Sequence, residues 1–388
     1  MRMKNSITFF LFFLIAILLY ALINYYIIRK GLVIFQNNTP IKWIWISGVI
    51  IMSLSFLLGR WLEKVHPGII STTFIWVGAF WLAIMVYLLL QLAIIDLIRL
   101  SDKLFHFLPL VVYQNAQKTN KILALIVISV TFLFVGGGYI NTWFPKIKQL
   151  NITINKNANN LESLHIVSFS DVHLGTLIGK KKLSRLVKKV NTLQPDIILI
   201  PGDIIDEDVG PVIRDGAGPV LKQFKAKYGV YAVTGNHEYM GGVEKAKKFL
   251  SHYGVTLLND TAVLVDDSFY LAGREDLSAN RFGRNKRKPL SLILEDVNKK
   301  LPVILLDHQP FKLKQAVKNN IDLQLSGHTH HGQLWPFNFI TELIYEIDWG
   351  YLKKENTHFY VSGGVGGWGP PIRTVNRPEI LNIFIHFN

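Results

Sequence analysis

Four long apolar stretches before residue 145 limit the folds open to this chain more than any other feature. Residues 7–28 are free of charge and bracketed by Arg2, Lys4, Arg29 and Lys30. Residues 41–59 carry only Lys42, at their edge, and residues 69–95 carry no charge. Residues 122–140 form the fourth stretch. Each meets the ~20 residues that a helix needs to cross ~30 Å of hydrocarbon. Trp43, Trp45, Trp61 and Trp143 lie near the ends, where interfacial anchors sit. A signal peptide followed by buried core helices is the alternative. The first stretch is too long for a typical signal core, no small-residue cleavage site follows it, and three more spans come after it. The expectation is therefore an integral membrane protein with four transmembrane helices.

Four spans put the N-terminus and everything after residue 145 on one side. Seven Lys and Arg flank the spans on each side, so the charge rule does not choose an orientation. No ionisable residue falls in the middle of a span, which argues against a proton relay or ion pathway.

The formal charge of +15 invites a nucleic-acid reading. However, residues 1–150 hold 13 Lys and Arg against 3 Asp and Glu, whereas the remaining 238 residues hold 29 against 24. Most of the excess flanks apolar spans, so nucleic acid is not the expected partner. With no cysteine, disulfides, thiolate-bound zinc and cysteine nucleophiles are all excluded.

After Pro145 the texture changes. A polar stretch within 146–160 reads as a linker or an edge strand, and from residue 161 to 388 short apolar runs alternate with charged amphipathic segments. The runs are 164–169, 197–200, 230–233, 269–272, 303–306, 323–325, 359–361 and 380–387. Helix-like segments span 180–193, 220–227, 243–253, 290–299 and 312–318. Such alternation predicts a layered α/β domain. Five of the runs end in metal-binding residue types: Asp171 and His173, Asp203 and Asp206, Asn236 and His237, His308, and His328 with His330. In open α/β sheets, ligands collect at the carboxyl ends of strands. Carboxylates, an amide oxygen and imidazoles together suit Mn, Fe or Zn rather than calcium or magnesium alone. About seven candidate ligands are more than one ion needs, and two ions ~3.5–4 Å apart can clamp a phosphoryl group and activate water.

These blocks, in this order, resemble the calcineurin-like metallophosphoesterases: Asp-x-His, Gly-Asp-x-x-Asp, Gly-Asn-His-Glu, a lone His and Gly-His-x-His. The Gly-His-Thr-His-His-Gly-Gln-Leu-Trp-Pro block and the late Gly-Gly-Trp-Gly-Pro-Pro-Ile-Arg stretch look most like the membrane-associated bacterial branch, in a cell membrane. The resemblance implies a two-sheet α/β/β/α sandwich over residues 161–388. It implies one metal on Asp171, His173 and His330, and another on Asn236, His308 and His328, bridged by Asp203. His237 would face the leaving oxygen, oriented by Asp206. Two positions depart from the pattern: Tyr239 stands where some branches place a phosphate-binding Arg, and His331 where a small residue is usual. Arg274 and Arg373 are candidate phosphate clamps. The basic run 281–288 and the aromatic run 334–345 make a lipid-linked phosphodiester or pyrophosphate the expected substrate. A broad small-molecule phosphodiesterase and a non-catalytic metal-binding scaffold are the alternatives.

Overall fold

The computed structural model describes residues 2–35, 38–282 and 286–388. The chain divides into two compact units, Met1–Gly138 and Tyr139–Asn388.

The first unit is helical. Its long helices are Arg2–Ile34, Thr39–Val65, Ile69–Phe105 and Ala116–Asn141, the last running past the unit's end. Each outlasts the apolar stretch that predicted it, because charged and polar flanks continue the helix beyond the hydrocarbon-length core. Each remains long and apolar enough to cross a membrane. The second helix starts where Asn38 accepts a hydrogen bond from Ile41 N (3.1 Å) and Pro40 occupies the first turn. Its partner, the third helix, approaches closely through glycine. A Cβ on Gly78 would lie 2.2 Å from Phe56 N, and one on Gly59 2.6 Å from Ile75 N. Such small-residue contacts hold helices together where no hydrophobic gain is available. Apolar side chains such as Ile44 (70% exposed) point outward, a surface suited to lipid rather than water.

In the second unit two six-stranded sheets stack face to face. The strands are β1 (Lys146–Ile154), β2 (Ser163–Ser168), β3 (Ile197–Pro201), β4 (Val230–Val233), β5 (Val255–Leu257), β6 (Thr261–Val265), β7 (Phe269–Gly273), β8 (Val303–Leu306), β9 (Leu323–Ser326), β10 (Gly350–Lys354), β11 (Thr357–Val361) and β12 (Glu379–Phe387). The first sheet runs β1-β12-β2-β3-β4-β5 and the second β10-β11-β9-β8-β7-β6. Both are mixed: β2 to β5 are parallel, as are β7, β8, β9 and β11. The outer pair β6 and β7 is antiparallel, and β12 pairs antiparallel with β2.

Strand periodicity explains the layers. In β2 and β3, Leu164, Ile166, Ile197 and Leu199 face the second sheet, where Ile304, Leu306, Leu323 and Leu325 meet them. The alternate residues Val167, Ile198 and Ile200 face outward under Leu183, Val187, Phe249 and Leu250 of helices Lys180–Asn191 and Val243–His252. Strands buried on both faces read as unbroken apolar runs. The result is the expected α/β/β/α sandwich.

Three expectations need correction. The polar stretch 146–160 is not simply a linker, since β1 occupies 146–154 and pairs in parallel with β12. Residues 220–227 do not form a helix beyond Gly218–Leu221. There the backbone bonds to Asn191, whose side chain donates to Gln223 O (2.7 Å) and accepts from Lys225 N (3.0 Å). Likewise 290–299 is helical only over Leu290–Ile293, and the Asn298 side chain then closes a turn on Lys300 N.

Candidate metal centre

Parallel β2, β3 and β4 end side by side, and β8 and β9 end opposite them. The loops leaving these five strands carry the candidate ligands to one place. Asp171 leads into His173 after β2, Asp203 follows β3, and Asn236 opens a short helix, Asn236–Gly241, after β4. His308 follows β8, and His328 and His330 follow β9.

Two groups of ligand atoms lie where the motif order places the metals, Asp171, His173 and His330, and Asp203, His308 and His328, while two further groups contain His237, one with His173 and Asp203 and one with Asp206 and Glu207. In the first, Asp171 Oδ1 lies 3.5 Å from His330 Nε2 and 3.9 Å from His173 Nε2. In the second, Asp203 Oδ2 lies 3.1 Å from His308 Nε2, which is 3.2 Å from Asn236 Oδ1. The same Asp203 oxygen is 3.9 Å from His173 Nε2, so this carboxylate faces both groups. His308 Nδ1 lies 2.8 Å from Pro201 O, an arrangement in which Nδ1 donates to the carbonyl and Nε2 is turned to Asp203 and Asn236.

Asp171 and Asp203 are both buried, and no Lys or Arg pairs with either among the described residues. Two buried carboxylates met only by imidazoles, backbone amides and, at Asp171, the Ser170 hydroxyl are costly unless cations join them. Burial, followed by the Arg373 charge, holds His330 well below the usual imidazole range. This oxygen and nitrogen set fits transition metals, and the residues present suit ions of that kind.

Beside the two groups, His237 Nδ1 lies 3.0 Å from Asp206 Oδ1, a close ion pair rather than an aligned hydrogen bond. Burial opposes the imidazolium of His237, yet Asp203 and Asp206 together hold it up at about 9. Burial alone would raise Asp206, but His173 and His237 keep it well below the usual carboxylate range. The expected residues thus converge, with His237, Asn236 and His328 lining a cavity of about 590 Å³.

Other expectations for the site did not hold. Arg373 is buried and turns its guanidinium to His330 Nδ1 (2.8 Å), Gly366 O and Asn376, so it cannot clamp a phosphate. Arg274 is spent on Asp307 (3.2 Å) and Gln315. Within the basic run 281–288, Arg287 reaches inward to Asp307 (2.5 Å), while residues 283–285 lie outside the described residues. Tyr239 hydrogen-bonds Glu275 instead of facing the cavity, and His331 pairs with Asp348 (2.7 Å).

One residue was missed. Glu238 is buried and accepts from Gly235 N (2.7 Å) and Ile205 N (2.8 Å), fastening the loops after β3 and β4 together. Burial first, then the Asp203 charge, pushes its carboxyl up to about 7. A Glu at the third position of a helix that starts at Asn236 was the available signal.

Comparison with known proteins bears on the family. The calcineurin-like phosphoesterase pattern matches residues 164–332. A transmembrane protein with metallophosphoesterase domain from Danio rerio is 37% identical over 280 residues, covering 68% of this chain and 62% of that protein. This chain therefore spans less than two thirds of that relative's length. A metallophosphoesterase of Caenorhabditis elegans is 34% identical, over 82% of this chain and 68% of its own length. An uncharacterized metallophosphoesterase from Aquifex aeolicus is 31% identical, over 64% of this chain and 94% of its own. The ordered site residues, the two-sheet sandwich and these similarities lead to one conclusion: the chain belongs to the calcineurin-like metallophosphoesterase family.

Proposed function

We propose that this protein is a membrane-anchored phosphoester hydrolase that uses two metal ions, with its four long helices crossing a membrane and residues 161–388 carrying the chemistry. A bacterial cell membrane is the setting favoured by its sequence resemblance. The observation that carries the reading is the position of Asp203, whose carboxylate faces both groups of ligand atoms. Asp171, His173 and His330 would hold one ion, Asn236, His308 and His328 the other, and Asp203 would bridge them. Ions of the Mn, Fe or Zn type would supply charge neutralisation at phosphoryl oxygens and activation of water.

The chain's own residues supply the rest. Asp206 keeps the His237 Nδ1 side charged and oriented, which leaves Nε2 to deliver a proton to the departing oxygen. Asn236 fixes a neutral oxygen beside His308, so the second group is not overloaded with negative charge.

The cavity also favours a substrate class. Its floor is the metal cluster, but its walls include Phe337, Ile340, Ile344 and Trp368. A polar floor under apolar walls suits a phosphoester or pyrophosphate attached to a lipid. Turnover of the full-length protein loaded with Mn should be seen on lipid-linked phosphodiesters or pyrophosphates as well as on a chromogenic diester. Release from the chromogenic diester alone would leave a broad small-molecule phosphodiesterase. No turnover at all would leave a metal-binding scaffold. Asp203→Ala should lose both metals and activity, whereas His237→Ala should keep the metals and lose about 10²–10⁴-fold in turnover, the range for general acid–base catalysis. Equal metal loss in both variants, by elemental analysis, would contradict these roles.

A further inference from the structure

A second pocket lies in the α/β unit, and it shares no lining residue with the cavity over the metal cluster. One wall is the segment Thr142, Trp143, Phe144 and Pro145; the others bring Lys182, Arg185, Lys189 and Arg377. No carboxylate lines it, and none of these four cations has a carboxylate ion-pair partner among the described residues. Instead they are held by neutral groups. Lys182 Nζ donates to Thr142 Oγ1 (3.0 Å), Lys189 donates to Pro145 O, and Arg377 donates to Phe144 O (2.6 Å). Lys182 and Arg185 each lie 4.9 Å from the Trp143 ring.

Four cations gathered by a hydroxyl, two carbonyls and an indole repel one another, and a bound anion would relieve that repulsion. Burial first, then the Arg373 charge, hold the Lys182 ammonium down at about 8, which a neighbouring anion would reverse. The position of the pocket in the chain identifies the anion's source. Thr142 directly follows the apolar helix Ala116–Asn141, so with that helix in a membrane Trp143 would fall at the depth where tryptophan meets lipid headgroups.

We propose that this pocket binds the phosphate headgroup of an anionic membrane lipid, with the Trp143 ring at its wall and Arg185, Lys189, Lys182 and Arg377 as its cations. The site rests on the last helix lying in a membrane and not on the hydrolase reading, so turnover plays no part in the test.

The purified full-length protein in detergent micelles should retain phosphatidylglycerol in native mass spectrometry and retain phosphatidylcholine far less. Arg185 is solvent-exposed, so Arg185→Gln should fold; it should weaken retention about fivefold, and Arg185→Gln with Lys189→Gln about 25-fold, the scale of one basic residue at an anionic lipid surface. Lys299→Gln with Lys300→Gln, which removes two cations outside the pocket, should leave retention as it was. Equal retention of the two lipids, or equal loss in both double variants, would overturn the proposal. So would displacement of the lipid by millimolar inorganic phosphate, which would make the site one for free phosphate.

Discussion

Among single side chains, the metal cluster is where backbone strain gathers. Asp171, His173, Asp203, His328 and His330 all have left-handed backbone angles, with φ between 51° and 76°. Each costs on the order of 1 kcal/mol or more in a residue other than glycine, and such angles persist only where the surroundings enforce them. Two neighbours do the enforcing. Glu238 ties the Asp203 loop to the Asn236 loop, so Glu238→Ala would leave the amides of Ile205 and Gly235 buried and unpaired. That variant should lose about 2–4 kcal/mol, read as a lower unfolding midpoint of the detergent-solubilised protein. Gly235 backs directly onto Asp203: a Cβ there would lie 2.1 Å from Asp203 Oδ1 and 2.7 Å from its backbone N. Gly235→Ala should therefore push the shared carboxylate aside and lower the content of both metals together in elemental analysis. Loss of one metal alone would show that Asp203 does not serve both groups.

Individual elements show what a sequence can and cannot reveal. The convergence of five strand ends was legible because metal chemistry restricts residue type: only oxygen and nitrogen donors will serve, and the candidates follow strands. Glu238 was harder to see because its task, accepting two amide hydrogens, could fall to several side chains. β1 was open to two readings, linker or edge strand, because an edge strand buries little, here Ile152 and Ile154. The segment 220–227 looked helical by its periodicity, but a distant Asn191 claimed its backbone, and such long-range bonds leave no local trace. The helical unit was legible in its spans but not in its contacts. Gly78 and Gly137 look alike in the sequence, yet a Cβ on Gly78 would strike the backbone of Phe56 whereas one on Gly137 would meet nothing within 4 Å. Gly78→Ala should lower the helical unit's thermal midpoint by the equivalent of about 1–3 kcal/mol of overpacking. Gly137→Ala should leave that midpoint unchanged or raise it, since alanine favours helix by about 1 kcal/mol. Circular dichroism of the two variants in the same detergent would compare them, and a matching loss in both would contradict the close approach.

For the whole molecule, the proposed lipid-linked substrate would need an apolar approach to the cavity. The helix Asn338–Ile344 stands beside the cavity and turns apolar side chains to solvent, with Leu343 88% exposed and Phe339 54% exposed. Trp368, 54% exposed, lines the cavity as well. Exposed apolar groups on this scale mark a contact surface rather than a random outcome of folding. Neither Leu343 nor Phe339 lines the cavity, so both can be changed without touching the groups assigned to chemistry. If the rim guides an acyl or polyprenyl chain toward the cluster, Leu343→Glu with Phe339→Glu should raise KM for a lipid-linked substrate about tenfold or more, since each loses apolar contact worth roughly 1.5–3 kcal/mol when fully buried. The kcat and KM for a water-soluble chromogenic diester should not move, because that substrate meets only the polar floor. A parallel loss on both substrates would mean that the helix supports the site's structure, and no loss on either would mean that the lipid enters by another face.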